Sequence, residues 1–176
     1  DITCDAGHYC PEGSEYQIAC AKGKVATGRA GQSLESEACE LCPAGSYCDK
    51  TGLLAVSGLC KEGFYCPIGS SISTPNICTE GTYCPGGSPE EIPCDAGKYC
   101  PNKGLSVPFD DCQAGYYCAE GSIATDQEDC SVGHYCPSGI SQEQLCPSGT
   151  FRNTTNGISI ESCIPCTAGY YCPETG

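Results

Sequence analysis

The feature that most constrains this chain is a cysteine motif that occurs eight times in 176 residues. Each copy reads Cys, two residues, Gly, one variable residue, Tyr and a second Cys, and most copies begin 16 to 18 residues after the previous one. A repeat this short cannot bury a core of its own, so neighbouring repeats must stabilise one another. The copies are CDAGHYC from Cys4, CPAGSYC from Cys42, CKEGFYC from Cys60, CTEGTYC from Cys78, CDAGKYC from Cys94, CQAGYYC from Cys112, CSVGHYC from Cys130 and CTAGYYC from Cys166.

The chain has 20 cysteines but few large apolar side chains, since Val, Ile, Leu and Phe make up only about 14% of it. That fraction is typical of disordered chains, whereas cysteine at about 11% indicates a disulfide scaffold. We favour the scaffold, because cross-links can offset a backbone entropy that so small a core cannot. Since disulfides persist in oxidising compartments, we expect an extracellular or cell-surface protein.

The net charge of −14 argues against nucleic acid and against anionic lipid as partners. No run of residues approaches the ~20 apolar residues of a membrane helix, so we expect no membrane insertion in this segment. Gly or Pro interrupts almost every eight-residue window, which excludes nearly all helix. The predicted fold is an elongated rod of small disulfide-rich repeats of 16 to 18 residues, with short two-residue β pairings around the Tyr-Cys step.

A longer period is superimposed on the short one. Gaps without cysteine follow Cys20 and Cys146, and each gap ends in C-x2-C. The two positions lie 126 residues apart, about seven short repeats. We therefore divide the chain into a partial repeat (1–19), one long period of about seven repeats (20–145) and the start of the next (146–176).

Two local rules for disulfide pairing fit these spacings. Each C-x5-C closes on itself, or the last cysteine of one repeat pairs forward, across the CPxGS loop, with the first cysteine of the next. We favour forward pairing because it maps onto itself after one long period, although it leaves Cys4 and Cys166 to pair outside the chain. It predicts the bridges Cys10–Cys20, Cys39–Cys48, Cys42–Cys60, Cys66–Cys78, Cys84–Cys94, Cys100–Cys112, Cys118–Cys130, Cys136–Cys146 and Cys163–Cys172.

The two rules imply different mechanics. Forward pairing turns every CPxGS loop into a closed ring, which suits a filament. Self-closing repeats would leave flexible CPxGS loops, which suit a soft tether. Under forward pairing, each ring of about ten residues would stabilise the fold by roughly 2.5–3 kcal/mol.

The constant Gly and Tyr have structural explanations. We expect Gly to turn the chain at positive φ, where a Cβ would clash. We expect the Tyr ring to pack on a bridge or on the next repeat and so to replace the missing core. A carbohydrate-stacking surface is the functional alternative.

The chain offers little chemistry, and we predict neither an enzyme nor a bound cofactor or metal. His8 and His134 occupy the variable position of the motif, which does not suit a required base. The pair Cys39 and Cys42 could suggest zinc, but a four-cysteine site needs a second pair close by. Paired acidic residues such as Asp110-Asp111 invite a calcium site, yet they lack calcium-loop spacing.

One sequon favours a glycan. Asn153 precedes Thr154 and Thr155 in the long loop that follows Cys146, which predicts N-glycosylation. The tripeptide that begins at Asn76 is the rarer cysteine-type sequon.

The string CPSGTF, the run that ends in C-x2-C and the segment AGYYCP resemble ephrin-receptor-like cysteine-rich repeats of protist surface and filament proteins. More distantly, they are similar to tumour-necrosis-factor-receptor and EGF-like modules. The resemblance implies receptor stalks, cell or cyst coats, or flagellar hair filaments, and no catalytic residue. The chain departs from the receptor modules in lacking a cysteine directly after the one that closes the long loop.

We therefore expect a structural repeat segment of an extracellular filament or surface coat, which associates with copies of itself and carries glycans. The alternative is a ligand-binding ectodomain or stalk of a cell-surface receptor. The stretch from Lys22 to Arg29, with Lys22, Lys24 and Arg29, most resembles a binding site.

Overall fold

The computed structural model describes residues 2–173. Its only helical segments within that range are one turn of α-helix, α1 (Glu35–Ala38), and a 3-10 turn at Ile160–Ser162. Both lie in the long gaps of the cysteine pattern. The prediction of a small disulfide-rich fold with almost no helix is confirmed.

Antiparallel hairpins supply the regular structure, one for each of the first nine repeats. The paired strands are two residues long in all but one hairpin, as expected around the Tyr-Cys step. The pairs are β1 (His8–Tyr9) with β2 (Ile18–Ala19), β3 (Lys24–Ala26) with β4 (Cys39–Leu41), β5 (Ser46–Tyr47) with β6 (Gly58–Leu59), β7 (Phe64–Tyr65) with β8 (Asn76–Ile77), β9 (Thr82–Tyr83) with β10 (Ile92–Pro93), β11 (Lys98–Tyr99) with β12 (Asp110–Asp111), β13 (Tyr116–Tyr117) with β14 (Glu128–Asp129), β15 (His134–Tyr135) with β16 (Gln144–Leu145), and β17 (Thr150–Phe151) with β18 (Ile164–Pro165).

Two repeats were hidden in the sequence. The segments that begin at Cys20 and Cys146 form the same turn and hairpin as the other repeats. Each keeps the motif glycine at positive φ, but Ala26 or Arg152 stands where the second cysteine should be. The chain therefore contains ten repeats, beginning at Cys4, Cys20, Cys42, Cys60, Cys78, Cys94, Cys112, Cys130, Cys146 and Cys166.

The chain forms two compact parts. One comprises Asp1–Cys78 and Cys84–Glu91, and the other Thr79–Tyr83 and Ile92–Gly176. The division predicted from the cysteine pattern, into 1–19, 20–145 and 146–176, differs from these two parts and stays a prediction.

The buried side chains are almost all cysteines. Seventeen of the twenty are buried, joined only by Val25, Ala26 and Ala38 among the apolar residues of the described range. Seven of the eight motif tyrosines are half-buried instead, and Tyr171 is exposed. The disulfides therefore form the core, and the tyrosines lie at its edge rather than replacing it. The expectation that a motif tyrosine packs on a bridge of the next repeat is confirmed at Tyr9, which lies against Cys20 and Cys39.

Candidate functional site

The candidate site is the contact between successive repeats, and the disulfides define its limits. All twenty cysteines are bridged, and each bridge lies within one repeat. The forward pairing that we favoured is therefore wrong. The bridges are Cys4–Cys10, Cys20–Cys39, Cys42–Cys48, Cys60–Cys66, Cys78–Cys84, Cys94–Cys100, Cys112–Cys118, Cys130–Cys136, Cys146–Cys163 and Cys166–Cys172.

Hairpin register explains the correction. Strand β7 pairs with β8 so that Phe64 faces Ile77 and Tyr65 faces Asn76. Cys66 follows Tyr65, whereas Cys78 follows Ile77, so the two cysteines flank opposite ends of the pairing. At about 3.3 Å per residue they are separated by roughly 10 Å along the strands, beyond the reach of a disulfide.

The correction extends to three further bridges and to the ends of the array. The pairs Cys39–Cys48, Cys42–Cys60 and Cys163–Cys172 do not form, and Cys4 and Cys166 find partners inside the chain. Ten bridges of this kind are typical of extracellular proteins.

A tight turn allows C-x5-C to close on itself. In the repeat that begins at Cys42, Gly45 has a φ of 81°. Ser46 N–H donates to the Pro43 carbonyl at 3.1 Å, which folds the chain back. The Cα atoms of Cys42 and Cys48 then lie 5.9 Å apart, a normal distance for a disulfide. The expected positive φ of the motif glycine is confirmed.

Backbone hydrogen bonds join each repeat to the next. Between the repeats that begin at Cys42 and Cys60, Gly45 N–H donates to the Cys66 carbonyl and Gly69 N–H to the Cys42 carbonyl, each at 2.8 Å. Cys60 N–H also donates to the Gly45 carbonyl at 2.9 Å. These bonds tie the ring of one repeat to both the ring and the CPxGS loop of the next.

The same contact recurs along both compact parts. Equivalent bonds run from a motif glycine to the second cysteine of the next repeat, and from a loop glycine back to the first cysteine of the previous one. The first kind joins Gly23 to Cys48, Gly63 to Cys84, Gly81 to Cys100, Gly97 to Cys118 and Gly115 to Cys136; the second joins Gly52 to Cys20, Gly87 to Cys60, Gly121 to Cys94 and Gly139 to Cys112.

The motif glycine also permits a close approach two repeats away. A Cβ on Gly45 would lie 2.3 Å from the Gly87 carbonyl oxygen, and one on Gly97 would lie 2.3 Å from that of Gly139. No side chain fits at such a distance. The glycines therefore set the spacing of the array as well as its turns.

Buried serines order the CPxGS loops, a feature that we missed in the sequence. Ser70 and Ser122 are buried, and their hydroxyls donate to the carbonyls of Pro67 and Ala119 at 2.6 and 2.7 Å. The repeated Ser after Gly was the available signal. Because these loops are hydrogen-bonded, self-closing bridges do not make them flexible.

The tyrosine positions lie on one face of the hairpins. The ring of Tyr47 covers Gly58, and the rings of Tyr99 and Phe109 meet edge to face with centroids 5.5 Å apart. Burial and the Asp95 carboxylate, which accepts the hydroxyl of Tyr83 at 3.2 Å, raise the pKa of that phenol. The tyrosines thus contact the next repeat as well as their own hairpin, since Asp95 lies in the repeat that follows Tyr83 and Tyr9 packs against the next bridge, Cys20–Cys39.

The variable position is half-buried in most repeats, although Ser46 is buried and Tyr170 is exposed. Lys98 occupies it in strand β11 and pairs across the hairpin with Asp111, with Nζ and Oδ1 2.6 Å apart. This hydrogen-bonded ion pair raises the pKa of Lys98. His134 occupies the same position, with Nδ1 2.9 Å from the Val132 carbonyl oxygen and Nε2 3.6 Å from a Glu143 carboxylate oxygen.

In the ninth repeat, Arg152 occupies the position of the second cysteine and fixes the chain there by hydrogen bonds. Its guanidinium donates to the carbonyls of Thr155 and Ser162 at 2.8 and 3.1 Å. It therefore holds both ends of the long loop where other repeats have a six-residue ring. In the second repeat, buried Val25 and Ala26 fill the corresponding space.

The two sequons differ in their surroundings. Asn153, Thr154 and Thr155 are exposed on the loop that Arg152 fixes. Asn76 lies in a strand, and the cysteine of its sequon is buried in a disulfide. Only the first sequon is free to carry a glycan in the folded chain.

The remaining candidates form no chemical site. Lys24 pairs with Glu35 at 2.7 Å, which leaves Lys22 and Arg29 as the exposed cations of the basic stretch. Across residues 2–173, no three His, Cys, Asp or Glu side chains converge as a metal site would require. No helix in the same range is long and apolar enough to cross a membrane.

No protein family model matches the chain, and no curated protein sequence is significantly similar to it.

Proposed function

We propose that this chain is a structural repeat segment of an extracellular filament or surface coat, built as the ephrin-receptor-like arrays that it resembles are built. The observation that carries the proposal is the uniform contact between repeats. One pattern of backbone hydrogen bonds recurs at most of these contacts, and several motif glycines lie against a loop glycine two repeats away. Such a pattern adds repeats without a specialised interface, and it assigns no catalysis to the chain.

Electron microscopy of the native material tests this proposal. Antibodies raised against the segment should label fibres or a coat at regular intervals, with an axial period that matches the long period. Label confined to isolated, unpolymerised molecules on the cell surface would contradict it.

Label on isolated, unpolymerised molecules would support a receptor ectodomain or stalk instead. The exposed cations Lys22 and Arg29 beside α1 are the observation that favours this alternative. A receptor would lose binding of an acidic ligand on the double change Lys22→Ala and Arg29→Ala, whereas a structural segment would assemble as before.

The proposal includes an N-glycan on Asn153. Its exposed loop, anchored by Arg152, can accommodate a large polar group without disturbing a repeat contact. Secretion from a eukaryotic host and treatment with an N-glycosidase should give a mass shift that Asn153→Gln abolishes. Asn76→Gln is the matched control and should leave the shift unchanged; a shift that survives Asn153→Gln places the glycan elsewhere.

A further inference from the structure

The bridges leave the repeats joined covalently by a single strand of chain. No two rings overlap: the ring Cys42–Cys48 ends twelve peptide links before the ring Cys60–Cys66 begins. The same order holds for all ten bridges. No disulfide therefore links one repeat to another. A force applied to the two ends of the chain is resisted between repeats only by non-covalent contacts, until the backbone between the rings is fully extended.

Hydrogen bonds hold neighbouring repeats together instead. Each contact consists of a few backbone bonds, such as those that Gly45 and Gly69 donate to Cys66 and Cys42. Most buried side chains are the sulfurs of individual rings, and apolar contacts between repeats are small, as where Val25 packs against Cys42 and Cys48. Because the contacts described above join repeats that are at most two apart, load can break one contact while more distant contacts hold.

We propose that the array is an extensible mechanical tether, which lengthens under load by releasing repeats one after another while every ring stays closed. Each release frees the links between two rings, ten or twelve in most cases and three after each long ring, which amounts to at most about 43 Å of chain. When the load falls, the hairpins and their contacts re-form around the intact rings. This property belongs to the array itself, so it holds whether the native assembly is a filament, a coat or a stalk.

Single-molecule pulling on the oxidised 176-residue chain between two end handles tests the proposal. We expect a series of small extension events and a final length of about 390 Å, compared with about 630 Å for the reduced chain. The events should recur when the molecule is relaxed and pulled again. A single event that releases the whole length would overturn the proposal.

Reductant added to the stretched molecule measures the rings directly. Each six-residue ring should then add about 16 Å, and each of the two long rings about 60 Å. Steps of 30 Å or more from the short rings would mean bridges that span the CPxGS loops, and would overturn it as well.

The double change Cys42→Ser and Cys48→Ser provides a matched control. It should remove one step of about 16 Å and leave the other steps in place. The reduction steps of the unmodified chain decide the outcome even if this variant fails to fold.

Discussion

At the residue scale, the repeats pack closely because the motif glycines have no Cβ atom. The motif glycines adopt a φ near +80°, a conformation that any other residue adopts at a cost of about 1–2 kcal/mol. Several of them also face a backbone carbonyl two repeats away, where a Cβ has no space. Turn and contact therefore depend on the same position.

Gly45→Ala and Gly13→Ala separate these two effects. Both glycines have a φ of about 80°, but a Cβ on Gly13 would meet nothing within 4 Å. We expect Gly13→Ala to cost about 1–2 kcal/mol and Gly45→Ala a further 1–3 kcal/mol from the clash. Urea unfolding with the bridges intact measures both, and equal losses would show that the close approach is not needed.

A tyrosine substitution tests the hairpin face. Tyr99→Ala should cost about 2 kcal/mol, because it removes a half-covered ring and its edge-to-face contact with Phe109. Tyr16, which lies outside the motif and is 80% exposed, is the control, and Tyr16→Ala should have almost no effect. Similar losses at the two positions would argue against tyrosine packing as a source of stability.

At the scale of the element, the hairpin register decides which cysteines meet. The register of these two-residue strands is fixed. A shift of one residue would separate Tyr65 from Asn76 and turn its side chain to the opposite face of the hairpin. The second cysteine of a repeat and the first cysteine of the next therefore stay at opposite ends of the pairing. Only the self-closing ring remains possible.

Tryptic digestion without reductant tests this connectivity. Lys50 and Lys103 lie between rings, whereas the other described Lys and Arg residues lie inside them. Complete cleavage of the denatured, oxidised chain should therefore give three disulfide-linked bodies, 1–22 joined to 30–50, 51–103 and 104–176, and should release the cysteine-free peptides 23–24 and 25–29. Mass spectrometry before and after reduction identifies them.

Forward pairing predicts a different digest. Cys42–Cys60 would hold fragments together across Lys50, and Cys100–Cys112 across Lys103. Separation at Lys98 without reductant would likewise refute self-closing rings, because that residue lies inside Cys94–Cys100.

The sequence predicted the repeat, its turns and its hairpins, because cysteine spacing and glycine position act locally. It did not decide the connectivity, because spacing fits both pairings and only the register excludes one of them. It also concealed two repeats, because Ala26 and Arg152 stand where the second cysteine of the motif would be. The spacing Cys-x2-Gly alone would have found both.

At the scale of the whole molecule, stability comes from many small rings. Each constrains the unfolded chain over a short loop, and a six-residue ring contributes about 2–3 kcal/mol. The buried cystines add the only sizeable apolar cluster in each repeat.

Reduction should therefore unfold the protein completely under native conditions. With the rings open, a chain that has about 14% large aliphatic and Phe residues retains no core to hold it compact. The hydrodynamic radius should rise towards the value of a random coil, and the circular dichroism should lose its native features. A reduced form that kept its native radius would contradict this account.

The local closure of each ring also has a consequence for biosynthesis. When a cysteine of a C-x5-C motif enters an oxidising lumen, its partner follows only six residues later. At the usual pace of synthesis, that interval lasts about a second. Because no ring overlaps another, both cysteines of each pair are present in the lumen before the first cysteine of the next pair arrives. An array of any length could then mature from its amino terminus, without the search among mismatched thiols that interlaced bridges impose.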